Sequence, residues 1–171
     1  MKLFAKYNIP DNAGFVNVEL AKDNTVWIDP MMMHMDKSEM GKRCCLIVQQ
    51  YFSHLLKLAI NNDYKMGYLY TKNFSEINET RLGYSRNKPN GLSGGERLGN
   101  KIFDLIKDSS AIKTGMIGDI FDAEVMIEKL GVDKLSDFIS NLILEELVLY
   151  TQEECMKYNI PLQDVLLKRK Y

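Results

Sequence analysis

The chain has 171 residues, of which 46% are hydrophobic and 26% are charged, and its formal net charge is −1. This composition is typical of a globular protein and argues against disorder, and the length suits a single domain over residues 1–171. The near-zero net charge excludes a surface that attracts nucleic acid or an anionic membrane as a whole, so any such contact requires a local patch.

The cysteines and the hydropathy pattern indicate a compartment. Cys44 and Cys45 are adjacent and Cys155 is distant, and three cysteines in this arrangement form neither a disulfide framework nor a zinc pattern. No apolar run approaches the roughly 20 residues of a membrane span, and the N-terminus lacks the apolar core of a signal peptide. We therefore expect a cytoplasmic protein without a membrane partner.

The N-terminal residues predict β-structure. Apolar residues alternate with polar ones over 15–20, residues 22–24 have turn chemistry, and 25–28 are β-branched or aromatic. This pattern predicts a hairpin or small sheet over about 13–30, which ends at Asp29 because a residue before proline avoids the helical conformation.

A methionine-rich run follows, from Met31 to Met35, with His34 inside it. Thioether and imidazole groups bind Cu(I), which makes this run a candidate soft-metal site. Methionine is also a pliable core filler, and without a nearby cysteine the core-filling role is favoured.

Three helices are predicted to form a body over about 38–158. The first spans 38–62, with Ser38 as N-cap and a wide apolar stripe that makes it the central helix, opposite a polar seam of Gln50, His54, Lys57 and Asn61. The others span 96–107 and 134–158, with Asp133 as the N-cap of the last. The predicted fold class is α+β, an N-terminal β-element packed on this helical body.

The glycine-rich segment 76–99 separates the first helix from the second. Its letters L-S-G-G-E-R resemble the signature loop of ABC-type ATPases, but the chain has no G-x-x-x-x-G-K-[ST] phosphate loop, so we reject an ATPase. Glycine N–H groups, a helix N-terminus and basic side chains suit a phosphate, although a plain connector explains the same letters. The candidate phosphate-binding residues are Arg81, Arg86, Lys88, Ser93, Gly94, Gly95 and Arg97.

The second half of the chain is acidic. Asp133, Asp137, Asn141 and Glu145 recur every four residues and form a ridge on the last predicted helix. Oxygen ligands of this kind suit Mg²⁺ or Mn²⁺, which support phosphodiester cleavage, while a solvated acidic face is the alternative. The candidate metal ligands are Glu79, Asp133 and Asp137, and the candidate catalytic residues are these three and Asn141.

Two passages carry a family resemblance. The segments Asn78–Ser85 and Gly131–Ile143, the latter followed by Leu149–Cys155, resemble an uncharacterised bacterial family in which N-E-x-x-L-G, a basic glycine-rich loop and G-x-D-x-[IL]-S-D-x-x-x-N occur in that order. The resemblance covers residues 76–158 and implies a setting in mobile elements and defence islands. It also marks Asn78, Glu79, Asp133, Asp137 and Asn141 as positions of interest.

Two functions remain open at this point. One is a nucleic-acid-associated protein of a prokaryotic defence or mobile-element system, in which the basic loop binds phosphate. The candidate activity of such a protein is a nuclease activity that depends on Mg²⁺ or Mn²⁺. The other is a non-enzymatic interaction or regulatory subunit, whose broad apolar helix faces form a homo-oligomer or bind a partner protein.

Overall fold

A computed structural model describes residues 1–21, 24–74, 96–123, 127 and 130–164. In these residues the chain is predominantly helical, and a 3₁₀ turn lies at Ile120–Asp122. The helices are α1 (Leu3–Tyr7), α2 (Pro30–Met35), α3 (Glu39–Ile60), α4 (Tyr64–Thr71), α5 (Glu96–Asp108), α6 (Ser110–Lys113), α7 (Gly131–Leu142) and α8 (Leu144–Lys157).

Helix α3 lies at the centre of the fold, and its prediction is confirmed. It contacts helices α2, α4, α5, α6 and α7. The Ser38 hydroxyl accepts a hydrogen bond from the Gly41 N–H at 2.9 Å, as expected of an N-cap. Its buried face consists of Gly41, Cys44, Val48, Phe52, Leu55, Leu56 and Ala59. The polar seam is also confirmed, because its four members are exposed: Gln50, His54, Lys57 and Asn61.

Helices α4 and α5 approach each other closely at two glycines. Gly67 of α4 lies against the Phe103 ring, and Gly99 of α5 lies against the backbone carbonyl of Thr71. Neither position has room for a Cβ, so glycine is required for this helix spacing. The contact between Thr71 and Gly99 brings together the residues that flank the segment 75–95.

The predicted N-terminal β-element is wrong, and with it the α+β fold class. No strand or hairpin occurs in the described part of the chain, where an isolated antiparallel bridge joins Lys2 and Glu19. Asp29 does not end a strand. Its Oδ1 accepts hydrogen bonds from the N–H groups of Met31 and Met32, at 2.8 and 3.3 Å, and so caps α2.

Between these elements, extended backbone hydrogen-bonds to the side chains of helices instead of to a partner strand. The Gly14 N–H donates to Glu154 Oε2 at 3.2 Å, and the Tyr150 hydroxyl donates to the Gly14 carbonyl at 2.8 Å. The Ile28 N–H donates to Ser136 Oγ at 2.9 Å. The apolar alternation over residues 15–20 does not mark a buried face, because Val16 is 61% exposed and the Val18 carbonyl accepts a hydrogen bond from the Leu3 N–H at 2.9 Å.

The last predicted helix, 134–158, is two helices. Its backbone leaves the helical conformation at Ile143, between α7 and α8. No glycine or proline marks this break, and Ile143 is itself buried, so the apolar pattern runs through it unchanged. Asp133 is not the N-cap either, because it lies inside the first turn of α7, which follows Leu130. The buried apolar residues of α3, α5, α6 and α7 form one core, and the single domain over 1–171 stays a prediction.

Candidate functional site

Most of the predicted phosphate-binding residues, and one predicted metal ligand, lie outside the described residues. Arg97 is in the first turn of α5, but its side chain is also outside the described part. The others outside it are Glu79, Arg81, Arg86, Lys88, Ser93, Gly94 and Gly95.

The predicted acidic ridge is divided by the break at Ile143: Asp133, Asp137 and Asn141 lie on α7, and Glu145 lies in the first turn of α8. Asp133 is exposed, and its Oδ1 accepts a hydrogen bond from Trp27 Nε1 at 3.4 Å. Asn141 Nδ2 donates to the backbone carbonyl of Asp137 at 2.8 Å, and both residues are partly buried. In the described ranges, no three His, Cys, Asp or Glu side chains are grouped as a metal site requires. The predicted metal site therefore depends on Glu79.

The residues that flank the segment 75–95 lie next to α7. The Phe74 ring stacks on the Phe138 ring of α7, with 5.2 Å between centroids and 18° between planes. The Phe74 N–H donates to the Thr71 carbonyl at 3.1 Å, and Gly99 contacts that same carbonyl. Phe74 and Gly99, on either side of this segment, therefore both lie at Thr71, and Phe74 lies beside the helix that carries Asp137.

An aromatic cluster lies on the surface at the same place. The Tyr51 and Tyr70 rings stack with 4.4 Å between centroids, and the His54 ring lies 4.7 Å from Tyr70. The Tyr51 hydroxyl donates to the Tyr70 carbonyl at 2.6 Å, and burial together with the neighbouring Tyr70 raises the pKa of Tyr51. Tyr51 thus stays neutral and fixes the position of Tyr70, whose side chain is exposed.

Positive charge is concentrated in the middle of the chain. Residues 40–107 contain eleven Lys and Arg against five Asp and Glu, a net charge of +6. Residues 1–39 contain four against six, a net −2, and residues 108–171 contain seven against twelve, a net −5. The whole-chain value of −1 hides this asymmetry, of which only the acidic second half and the basic segment were recognised from the sequence.

Three of these cations are carried by the two helices that form the aromatic cluster. Lys57 follows His54 by one turn of α3, Lys65 lies in the first turn of α4, and Lys72 is the C-cap of α4. All three are exposed, and none forms an ion pair with a residue that the structure describes. We call Lys57, Lys65, Lys72, His54 and Tyr70 the basic–aromatic surface.

Two other cations in residues 40–107 form contacts between helices. Lys107 Nζ lies 2.6 Å from Asp104 Oδ1 and donates to the Tyr68 hydroxyl at 2.6 Å, and the hydrogen bond to Asp104 raises the pKa of Lys107. Arg43 pairs with Glu146 of α8 at 2.9 Å. These contacts join helices, so we do not count either residue in the basic–aromatic surface.

Residues 6–171 match the family model described as "Domain of unknown function (DUF8370)". No curated protein and no solved structure matches the chain. None of the helices in the described ranges has the length and apolar character needed to cross a membrane.

Proposed function

The chain belongs to the DUF8370 family, and we propose that it is a nucleic-acid-associated protein that binds phosphate and bases through the basic–aromatic surface and the adjoining segment 75–97. The observation that carries the proposal is that α3 and α4 carry both exposed lysines and stacked aromatic rings, and that α4 ends where Thr71 contacts Gly99, on the other side of this segment. We also place the protein in the cytoplasm, where its three free cysteines stay reduced.

Electrostatics supports the proposal first. Lys and Arg side chains that neutralise phosphates release condensed counterions, and this supplies most of the affinity of non-specific binding. Residues 40–107 have a net charge of +6 and the flanking ranges have −2 and −5, so the cations that could attract a polyanion are concentrated in this part of the sequence. The sequence of the segment adds Arg81, Arg86 and Lys88, with no Asp or Glu between residues 80 and 95.

The aromatic side chains support it second. Proteins that bind single strands combine a positive groove with rings on which bases stack. Tyr70 is 39% exposed, and its orientation is set by the rings of Tyr51 and His54. A ring that is already ordered loses little conformational entropy when a base stacks on it. We therefore favour a single-stranded substrate over a duplex.

The segment variant is the first test. Replacing Arg81, Arg86 and Lys88 by alanine is expected to weaken binding of a fluorescent single-stranded oligonucleotide by about tenfold, because each lost cation removes one counterion-release contribution. Fluorescence anisotropy measures the dissociation constant. The matched control replaces three exposed lysines outside residues 40–107, which are Lys6, Lys37 and Lys113. Equal losses in the two triple variants would count against a local binding surface.

Cleavage is the further step of the proposal. The segment 75–95 starts beside α7, so Glu79, Asp133 and Asp137 are our candidates for an Mg²⁺ or Mn²⁺ site, with Asn141 as a candidate catalytic residue. At such a site the metal would activate a water molecule to attack a phosphodiester that the basic residues hold. The resemblance of residues 76–158 supports a defence or mobile-element role for such an activity.

The cleavage test uses Asp137→Asn, which keeps the size of the side chain and removes its charge. If the proposal holds, labelled DNA or RNA is degraded with Mg²⁺ or Mn²⁺, and the rate falls about a hundredfold in the variant. Asp164→Asn is the control, because Asp164 is exposed and lies outside the ridge. If the Asp137→Asn variant cleaves at an unchanged rate, Asp137 does not belong to the site. If the unaltered chain binds nucleic acid without cleaving it, the protein is a binding protein and not a nuclease.

A second candidate function is that of an interaction or regulatory subunit. The ion pair of Arg43 and Glu146 joins α3 to α8, and exposed leucines lie one turn after each partner, Leu46 at 54% and Leu149 at 48%. Apolar side chains around a surface ion pair suit a homo-oligomer or a protein partner. Light scattering decides this case, because a dimer that binds no nucleic acid would favour the interaction subunit.

A further inference from the structure

The fold brings a histidine and a cysteine together outside the basic–aromatic surface. His34 lies on α2 and Cys45 on α3, and these helices pack against each other. The distance between Cys45 Sγ and His34 Nδ1 is 3.7 Å, and Cys45 is partly exposed. The sequence analysis set aside a soft-metal site in the methionine run because no cysteine was near, and the packing of α2 on α3 supplies one.

The separation of the two atoms fits a shared metal ion. Metal–sulfur and metal–nitrogen bonds of about 2.3 and about 2.0 Å, at an angle of about 120°, place the two donor atoms about 3.7 Å apart. The two side chains therefore need little movement to bind one ion in a trigonal arrangement. The same distance also suits a weak S–H hydrogen bond, so the test has to distinguish the two.

A candidate third donor lies one turn from the histidine, and an aromatic ring restricts the imidazole. Met31 precedes His34 by three residues in α2, a spacing at which two residues share a side of a helix. The Phe121 ring packs 4.5 Å from the His34 ring, which restricts the imidazole. In the described ranges no further His, Cys, Asp or Glu completes a group of three, so the donor set is poor for zinc.

We propose that Cys45, His34 and Met31 bind a soft monovalent cation, with Cu(I) as the physiological ion and Ag(I) as its mimic. Thiolate and thioether donors select Cu(I) over harder metals, and a low coordination number suits it. Binding replaces the proton on the Cys45 sulfur by the metal, so one proton is released for each ion bound.

The test is a Cu(I) titration of the full chain without oxygen, in competition with a coloured Cu(I) chelator. We expect one tight equivalent, with release of one proton. Cys45→Ser and His34→Gln should each lower the affinity about tenfold or more, and Met31→Leu by a smaller factor. His34 and Met31 are exposed, so their variants should fold normally, as circular dichroism will check.

Two controls keep the result specific. Cys155→Ser removes a buried cysteine on α8, and Met156→Leu removes an exposed methionine there, so neither should change the affinity. An unchanged affinity in His34→Gln would overturn the proposal, because the thiol alone would then account for binding. Equal binding by the original chain and Cys45→Ser would also overturn it, as would the absence of a tight equivalent.

Discussion

Replacing Gly99 by alanine is expected to lower the free energy of unfolding by about 3 kcal/mol. A methyl group at this position of α5 would overlap the backbone carbonyl of Thr71, and a carbonyl inside a packed helix cannot move aside as the end of a flexible side chain does. Relief requires the separation of α4 from α5, which also disturbs the Phe103 ring against Gly67. Urea denaturation followed by circular dichroism measures the effect.

Gly118→Ala is the control for this prediction. An added Cβ at Gly118 meets no atom within 4 Å, so the free energy of unfolding of this variant should differ from that of the unaltered chain by about 0.5 kcal/mol or less. If Gly99→Ala proves as stable as this control, the close approach of α4 and α5 is wrong. The convergence of the residues that flank the segment 75–95 would then be wrong as well.

The second large effect is expected from charge reversal on the basic–aromatic surface. Changing Lys57, Lys65 and Lys72 to glutamate should weaken single-strand binding on the order of a hundredfold at low salt, because three attractive contacts become repulsive ones. The three side chains are exposed and have no ion pair with a described residue, so stability should hardly change.

The control for charge reversal carries the same change in net charge. It converts the three lysines outside residues 40–107, Lys6, Lys37 and Lys113, to glutamate. The affinity of this variant for the oligonucleotide should fall by about threefold or less, because its charges lie far from the bound strand and salt screens them. A hundredfold loss in both variants would mean that net charge, rather than this surface, governs association.

The two helices predicted over 38–62 and 96–107 were the part of the fold that the sequence predicted correctly, as α3 and α5. Helix α3 has a serine cap, a wide apolar stripe and a polar seam, and each agrees with the structure. The N-terminal pattern failed because alternation of apolar and polar residues does not supply a partner strand, and here the backbone at Gly14 and Ile28 bonds to the side chains of Glu154 and Ser136. The break at Ile143 was out of reach, because a buried isoleucine continues the helical pattern.

The candidate site was predicted only in part. The spacing of Asp133, Asp137 and Asn141 placed them correctly on one helix, but their contacts to Trp27 and to the backbone depend on long-range packing. The stacking of Tyr51 on Tyr70 depends on the angle between α3 and α4, which no local pattern contains. The charge concentration in residues 40–107 was visible in the sequence, and summing charge over the whole chain concealed it.

The measurement that tests the proposed function most directly is the affinity of the unaltered chain for a single-stranded oligonucleotide across a range of salt concentrations. If the basic–aromatic surface and the segment 75–97 hold the strand, the logarithm of the association constant falls linearly with the logarithm of salt concentration, with a slope of about −2 or steeper. No association with either DNA or RNA at low salt, or an affinity that does not depend on salt, would contradict nucleic-acid binding by this protein.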